Sequence, residues 1–178
     1  MKRFPAPALI ALLTLTSLAG CGADPANPPP IFCPQVAVLQ QASSLTQFLP
    51  GPADMADEIT QAQITGVAGA CTLKAKKQRL QVSFRVGFAA SNGPANHSAT
   101  LNLPYFVAIT QGNNIISEQN YNIDLSFAGN LATTQATTRS FTLDFPNQSS
   151  SRDLQILIGF QLTPAQLSYA AAHPLAAP

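Results

Sequence analysis

The chain has 178 residues and a formal net charge of +1, with 10% charged and 46% hydrophobic residues. Because this balance is near neutral, it lacks the strongly basic surface of a nucleic-acid-binding protein, and we expect no nucleic-acid partner. The length is sufficient for one domain with a sizeable core.

Residues 1–20 are predicted to be a signal peptide. Lys2 and Arg3 precede an uncharged stretch that ends in small residues, which is the pattern of a secretory signal. The most apolar part, residues 8–18, is shorter than the roughly 20 residues of a transmembrane helix. The segment therefore predicts export and not a permanent membrane span.

The stretch Leu18-Ala19-Gly20-Cys21 directly follows this apolar segment and resembles the lipobox of bacterial lipoproteins at all four positions. The resemblance implies that Cys21 is acylated and becomes the first residue of the mature chain. Gly22 follows, where many lipoproteins kept in the inner membrane have aspartate, and this implies the outer membrane. We thus expect a lipid-anchored protein of the cell envelope, with its domain facing the periplasm or the cell surface. The alternative is an ordinary cleaved signal with a chance cysteine.

Residues 21–32 are predicted to be a tether between the lipidated cysteine and the domain. The stretch 24–30 contains four prolines. Proline removes amide donors and favours extended polyproline geometry, so this stretch cannot form a helix or a sheet. The tether would hold the domain a short distance from the lipid surface.

With Cys21 assigned to lipid, Cys33 and Cys71 remain in a compartment where disulfides persist. Their pairing would close a loop of roughly 39 residues and stabilise the fold by about 4 kcal/mol on the chain-entropy model. The spacing favours a bridge between the first and second strands over one between two sheets. Two free thiols, or a catalytic cysteine with His97 or His173, are the alternative.

Alternation of apolar and polar residues predicts an all-β domain over residues 33–163. Turn-forming stretches at 91–94, 112–114 and 146–148 separate the apolar runs. About seven short strands predict an antiparallel β-sandwich, with an immunoglobulin-like arrangement as one option and a barrel as the alternative. The predicted strands are 35–39, 59–73, 80–88, 101–109, 121–127, 141–145 and 154–162.

Three residues carry specific expectations within these strands. Pro104 cannot donate to a ladder, so it should lie on an edge or a bulge. Gly66 and Gly69 should mark a bulge or a close approach of backbone.

Residues 164–178 are predicted to be a short helix and a tail. Thr163 is an N-cap and Pro164 occupies the first helical position, where a missing amide costs nothing. Good helix formers follow to Ala172, and Pro174 ends the helix. The stretch Gly159 to Leu167, together with Cys33-Pro34 and Tyr105-Phe106-Val107-Ala108, resembles an uncharacterised group of proteobacterial lipoproteins, which supplies no activity to transfer.

Residues suited to catalysis are sparse, and we expect no enzyme. No Gly-x-Ser-x-Gly elbow occurs, and His97 and His173 lie in a loop and a tail. Asp124 and Asp144 alternate with core residues and should face solvent, so they do not predict a glycosidase pair.

Metal and cofactor sites are not predicted either. Zinc requires three or four clustered ligands, and the cysteines are already assigned to the lipid anchor and the disulfide. Asp54, Asp57 and Glu58 lack the regular ligand spacing of a calcium loop and predict a polar connection.

The strongest charge feature is a basic cluster, Lys74, Lys76, Lys77 and Arg79. Removing Lys2 and Arg3 leaves seven basic residues against eight acidic ones, and four of those seven lie in this cluster. A solvated hairpin tip, or a charged guard against edge-to-edge pairing, is the simpler interpretation. The functional interpretation is contact with anionic envelope material.

Two classes of function remain. The first is a non-catalytic envelope lipoprotein, held at the membrane by its lipid, whose domain is a structural or interaction module for an envelope protein partner. The second is a binding module for a small ligand, a glycan or an anionic envelope polymer. The chain has no tryptophan and three tyrosines, so it has few of the aromatic residues on which sugars stack.

Overall fold

Two β-sheets and one helix make up the protein in the computed structural model, which describes residues 31–74, 79–129, 131–147 and 149–175. Over these residues the predicted all-β sandwich with a short C-terminal helix is confirmed. The strands are β1 (Gln35–Val38), β2 (Ser44–Phe48), β3 (Glu58–Lys74), β4 (Arg79–Asn92), β5 (Thr100–Gln111), β6 (Asn114–Ser126), β7 (Thr133–Thr137), β8 (Phe141–Phe145) and β9 (Leu154–Phe160), and the helix is α1 (Pro164–Ala172).

The strands form two sheets with different orders. Sheet I has the order β1-β9-β5-β6, and sheet II has the order β2-β3-β4-β7, with β8 also paired to β4. Neighbouring strands are antiparallel except β1 and β9, which are parallel. The described residues thus form nine strands, against about seven predicted, because β2 and β7 were not predicted.

The core lies between the sheets and is built from alternating residues on their inner faces. In β4 every second residue from Leu80 to Phe88 is buried, as the alternation predicted. Residues of sheet I face them across the core, and the ring centroid of Phe88 lies 5.1 Å from that of Tyr105 and 5.7 Å from that of Phe160. The buried residues of sheet I include Leu103, Tyr105, Val107, Ile123, Leu125, Ile156, Ile158 and Phe160.

Gly66 and Gly69 in β3 mark a bulge and a close approach of two backbones, as predicted. The register between β3 and β4 shifts between Ile64 and Gly66, which is a bulge. At Gly69, an added Cβ would lie 2.6 Å from the Ser83 carbonyl oxygen and 2.8 Å from the Phe84 Cβ. The two backbones can approach this closely only because residue 69 has no side chain.

The expectation for Pro104 was wrong, because β5 is an interior strand between β9 and β6 and the bulge of the β5–β6 pair lies elsewhere. The Pro104 carbonyl accepts a hydrogen bond from the Gln161 N–H at 3.0 Å. Gln161 is one residue beyond the end of β9. Since the N and C=O of a strand residue face the same side, the missing amide costs one bond at the end of the ladder.

Helix α1 has the predicted bounds and a complete capping box. The Thr163 hydroxyl accepts from the Gln166 N–H at 3.2 Å, and the Gln166 side chain accepts from the Thr163 N–H at 2.9 Å. The helix packs on β2 and on the 3-10 turn Gln40–Ala42, with the Tyr169 ring 5.0 Å from that of Phe48. None of the helices in the described ranges has the length and apolarity needed to cross a bilayer.

Candidate functional site

The chain enters the domain at a disulfide between Cys33 and Cys71, whose Cα atoms are 6.1 Å apart. The predicted pairing is confirmed, and it links the first two predicted strands, but the expectation that the bridge does not join two sheets was wrong. Cys33 precedes β1 in sheet I and Cys71 lies in β3 of sheet II, so the bridge joins the two sheets. The reason is that the chain crosses from one sheet to the other between β1 and β2, so that early strands face each other across the core.

The bridge protects the weakest pairing in sheet I. β1 is an edge strand of four residues that pairs only with β9. A short edge strand held on one side opens at low free energy. Because Cys33 lies two positions before β1, a pull on the preceding chain reaches the disulfide before it reaches the β1 hydrogen bonds.

An apolar cleft of about 390 Å³ lies beside the bridge, between β1 and the second half of β3. This half of β3 borders the cleft because β2 pairs only with the first half of β3, Glu58–Gln63. Its lining contains no ionisable side chain, because its two cysteines are joined in the disulfide and do not titrate, so the cleft offers no group for acid–base chemistry. Its lining residues are Cys33, Pro34, Val36, Val67, Gly69, Ala70, Cys71, Val82 and Ser83.

A second, polar groove of about 410 Å³ lies on the outer face of sheet II. Amide and hydroxyl side chains of β3, β4 and β7 line it, and Leu175 borders it from the tail. Its lining contains no aromatic ring and no charged side chain. The groove can form hydrogen bonds but cannot stack a sugar or neutralise an anion.

The structure divides the basic cluster between described and undescribed residues. Lys74 and Arg79 are both exposed and lie opposite each other at the end of the β3–β4 pair. Lys76 and Lys77 lie outside the described residues. The two described members are thus placed as the hairpin interpretation expects.

The candidate catalytic and metal-binding residues are exposed or have structural roles. His97 is exposed in the connection between β4 and β5, and the His173 ring stacks on that of Tyr169 at 4.2 Å at the end of α1. The Asp54 carboxylate accepts from the Ala56 N–H at 2.8 Å and caps a 3-10 turn. In the part of the chain that the structure describes, no three His, Cys, Asp or Glu side chains group as a metal site.

The two strand carboxylates face solvent, as predicted, and they lie on different sheets. Asp124, on sheet I, accepts from the Asn102 amide at 2.6 Å. Asp144, on sheet II, accepts from the Gln81 amide at 3.2 Å. They therefore cannot act together on one substrate.

Sequence reasoning missed one perturbed group, Tyr105. Its side chain is 3% exposed on the inner face of β5, between the rings of Phe88 and Tyr121. Burial, and secondly the neighbouring Tyr121, raise the pKa of Tyr105 from 10.0 to about 12. The alternation of β5 predicted the burial, and the raised pKa follows from it.

This burial predicts an alkaline loss of stability. Between pH 10 and about 12 the unfolded chain ionises Tyr105 while the folded chain keeps it neutral, so the free energy of unfolding falls as pH rises. A two-unit difference corresponds to about 2–3 kcal/mol. Urea unfolding of the wild type and of Tyr105→Phe, at about pH 9 and about pH 12, should show the larger loss in the wild type. Parallel losses in both proteins would contradict the assignment.

Searches for similar proteins found no family model, curated protein or solved structure that matches the chain.

Proposed function

We propose that the protein is a non-catalytic lipoprotein of the cell envelope, anchored through lipid on Cys21, with its β-sandwich acting as a structural or protein-interaction module. The observation that supports this most is the order of three features in the chain. The lipobox stretch 18–21 is followed by the proline-rich stretch 24–30, and a disulfide then begins the domain at Cys33. The expected location is the outer membrane.

The physical logic of an anchor supports this order. A single acyl chain holds a protein at a membrane only marginally, so a lipoprotein cysteine carries two or three. From Cys21 to Cys33 the chain spans twelve residues and reaches at most about 43 Å at 3.6 Å per residue. The anchor can thus load the domain mechanically, and the disulfide meets that load at the point of entry.

The geometry gives little support to an enzyme or a glycan-binding module. His97 is exposed in a loop, the His173 ring stacks on Tyr169, the strand carboxylates lie on different sheets, and the polar groove has no aromatic lining. Affinity capture of the acylated protein from intact envelope separates the two classes of function. A specific protein partner supports the interaction module, and retained glycan supports the binding module.

The anchor is tested by Cys21→Ser. We expect this variant to lose both acylation and membrane fractionation, because the acceptor thiol is gone, while the domain still folds. Incorporation of radioactive palmitate and fractionation of the envelope measure the two effects.

The double variant Cys33→Ala with Cys71→Ala is the matched control. It removes two cysteines but keeps Cys21, so it should still incorporate label. A wild-type protein that takes up no palmitate would overturn the anchor.

A further inference from the structure

The strand register brings distant parts of the chain to one end of the domain, which we call the entry end. Across sheet I, Gln35, Gln155, Thr110 and Ile115 form one row of paired residues. The residues just beyond this row therefore lie together. Three segments make up this group. One is residues 31–34 before β1, the second is residues 152–154 at the start of β9, and the third is the β5–β6 turn with Asn114–Ile116.

Two contacts tie the rest of the entry end to this row. The disulfide from Cys33 places Cys71, and with it the Lys74–Arg79 end of the β3–β4 pair, at the same end in sheet II. The Arg152 guanidinium carbon lies 4.1 Å from the centre of the Phe32 ring. The chain thus enters the domain beside Arg152, at the end that also carries Lys74 and Arg79.

Large apolar side chains are exposed at this end. Ile115 and Ile116 are 63% and 58% exposed, and Ile31 and Phe32 are also exposed. Consecutive strand residues normally face opposite sides, but the register shift in the β5–β6 pair and the exposed stretch 114–120 leave both isoleucines outside the core. Exposed apolar side chains at the same end of a domain as several cations are typical of surfaces that rest on a membrane interface.

The charges differ between the two ends. Lys74, Arg79 and Arg152 lie at the entry end, with Glu118, Asp144 and Asp153 as its carboxylates, and the sequence places Lys76 and Lys77 between Lys74 and Arg79. The opposite end has Asp54, Asp57 and Glu58, and its connections, residues 49–58, 93–99 and 127–132, contain no lysine or arginine. An anionic surface would attract the entry end and repel the other.

We propose that the entry end rests on an anionic lipid bilayer, with Ile115 and Ile116 in the headgroup region and Lys74, Arg79 and Arg152 facing lipid phosphates. This inference rests on the lipid anchor of the proposed function. The chain before Ile31 leads to Cys21 over ten residues, a reach of at most about 36 Å, and it leaves the domain at this same end. The occupant of the surface is therefore the membrane that holds the anchor.

Orientation is tested with full-length acylated protein in vesicles of phosphatidylcholine and phosphatidylglycerol. Ile116→Cys and, as a matched control at the opposite end, Met55→Cys each supply one free thiol for an environment-sensitive fluorophore. Ile116 is 58% exposed and Met55 is 80% exposed, so both sites tolerate a label. Lipid-borne spin labels should quench the fluorophore at residue 116 and leave that at residue 55 unquenched. Equal quenching at both sites, or quenching at residue 55 alone, would overturn the proposal.

The electrostatic contact is tested separately with Cys21→Ser protein that lacks the signal peptide, residues 1–20, and cannot be acylated. Adding Lys74→Gln and Arg79→Gln should weaken binding to the same vesicles at low salt by about fivefold per charge removed. Arg85→Gln with Arg139→Gln removes the same charge from the middle of sheet II and should leave binding unchanged. Equal weakening by both pairs would contradict a localised contact. Palmitate labelling of Cys21 reports on the anchor itself, so failure of the anchor and failure of the orientation are distinguishable.

Discussion

Phe88→Ala should lower the free energy of unfolding by about 3–5 kcal/mol, the range for removing a large aromatic side chain from a core. Phe88 is 1% exposed and lies in sheet II, while its ring neighbours Tyr105 and Phe160 lie in sheet I. Truncation would therefore open a cavity between the sheets at a point where three rings meet. The midpoint and slope of urea unfolding measure the loss.

Two further variants make this result specific. Phe88→Leu keeps most of the apolar volume and should recover a large part of the stability. Phe32→Ala makes the same truncation at an exposed ring and should cost less than about 1 kcal/mol. Equal losses for Phe32→Ala and Phe88→Ala would contradict the placement of Phe88 in the core.

Local patterns predicted the elements whose signal is contained in a few neighbouring residues. β4 was predicted because each inward position from Leu80 to Phe88 holds a large apolar residue. Helix α1 was predicted because Thr163 and Pro164 fix its first turn without help from the rest of the fold. In both cases propensity, capping or periodicity agrees with the tertiary structure.

The missed strands lack such a signal. β7, Thr133–Thr137, has one apolar residue, Ala136, and forms because β4 offers a pairing edge. In β2 the two large apolar residues, Leu45 and Phe48, are three positions apart and not two. Their pairing is decided by tertiary context, which outweighs local β-propensity.

The relation between the sheets was also beyond local prediction. Nothing near β1 indicates that it pairs in parallel with β9, more than a hundred residues later in the chain. The two cysteines could be identified and paired from the sequence, but their placement in different sheets depends on that long-range topology. The prediction of lipidation at Cys21 concerns a residue outside the described ranges.

The entry end illustrates the same limit for function. The basic cluster could be identified in the sequence, but the residues that the fold brings to the same end of the domain could not. Ile115 and Ile116 form a short apolar pair that local pattern assigns to no face, and only the register with β5 shows that both are exposed. Arg152 gains its place beside Phe32 through the β1–β9 pairing.

Removing the disulfide with Cys33→Ala and Cys71→Ala should lower the free energy of unfolding by about 4 kcal/mol, within a usual range of 2–5 kcal/mol. The sequence separation of 38 residues sets the size of the loop whose entropy the bridge restricts. A marginal domain has about 5–15 kcal/mol in total, so the loss is a large fraction of its stability. Urea unfolding measures it, and reducing agent should bring the wild type to the same midpoint while leaving the variant unchanged.

The loss of stability should be concentrated in β1, because the disulfide holds the start of that strand. In the double variant, amide hydrogen exchange should accelerate first in β1 and at Leu39, whose N–H donates to the Ile158 carbonyl at 2.8 Å, before it accelerates in β4. Wild-type protein purified without reducing agent should show no free thiol at Cys33 or Cys71 under denaturing, non-reducing conditions. Two titratable thiols there would disprove the bridge, and uniform acceleration of exchange in β1 and β4 would show that the bridge does not act on the edge strand.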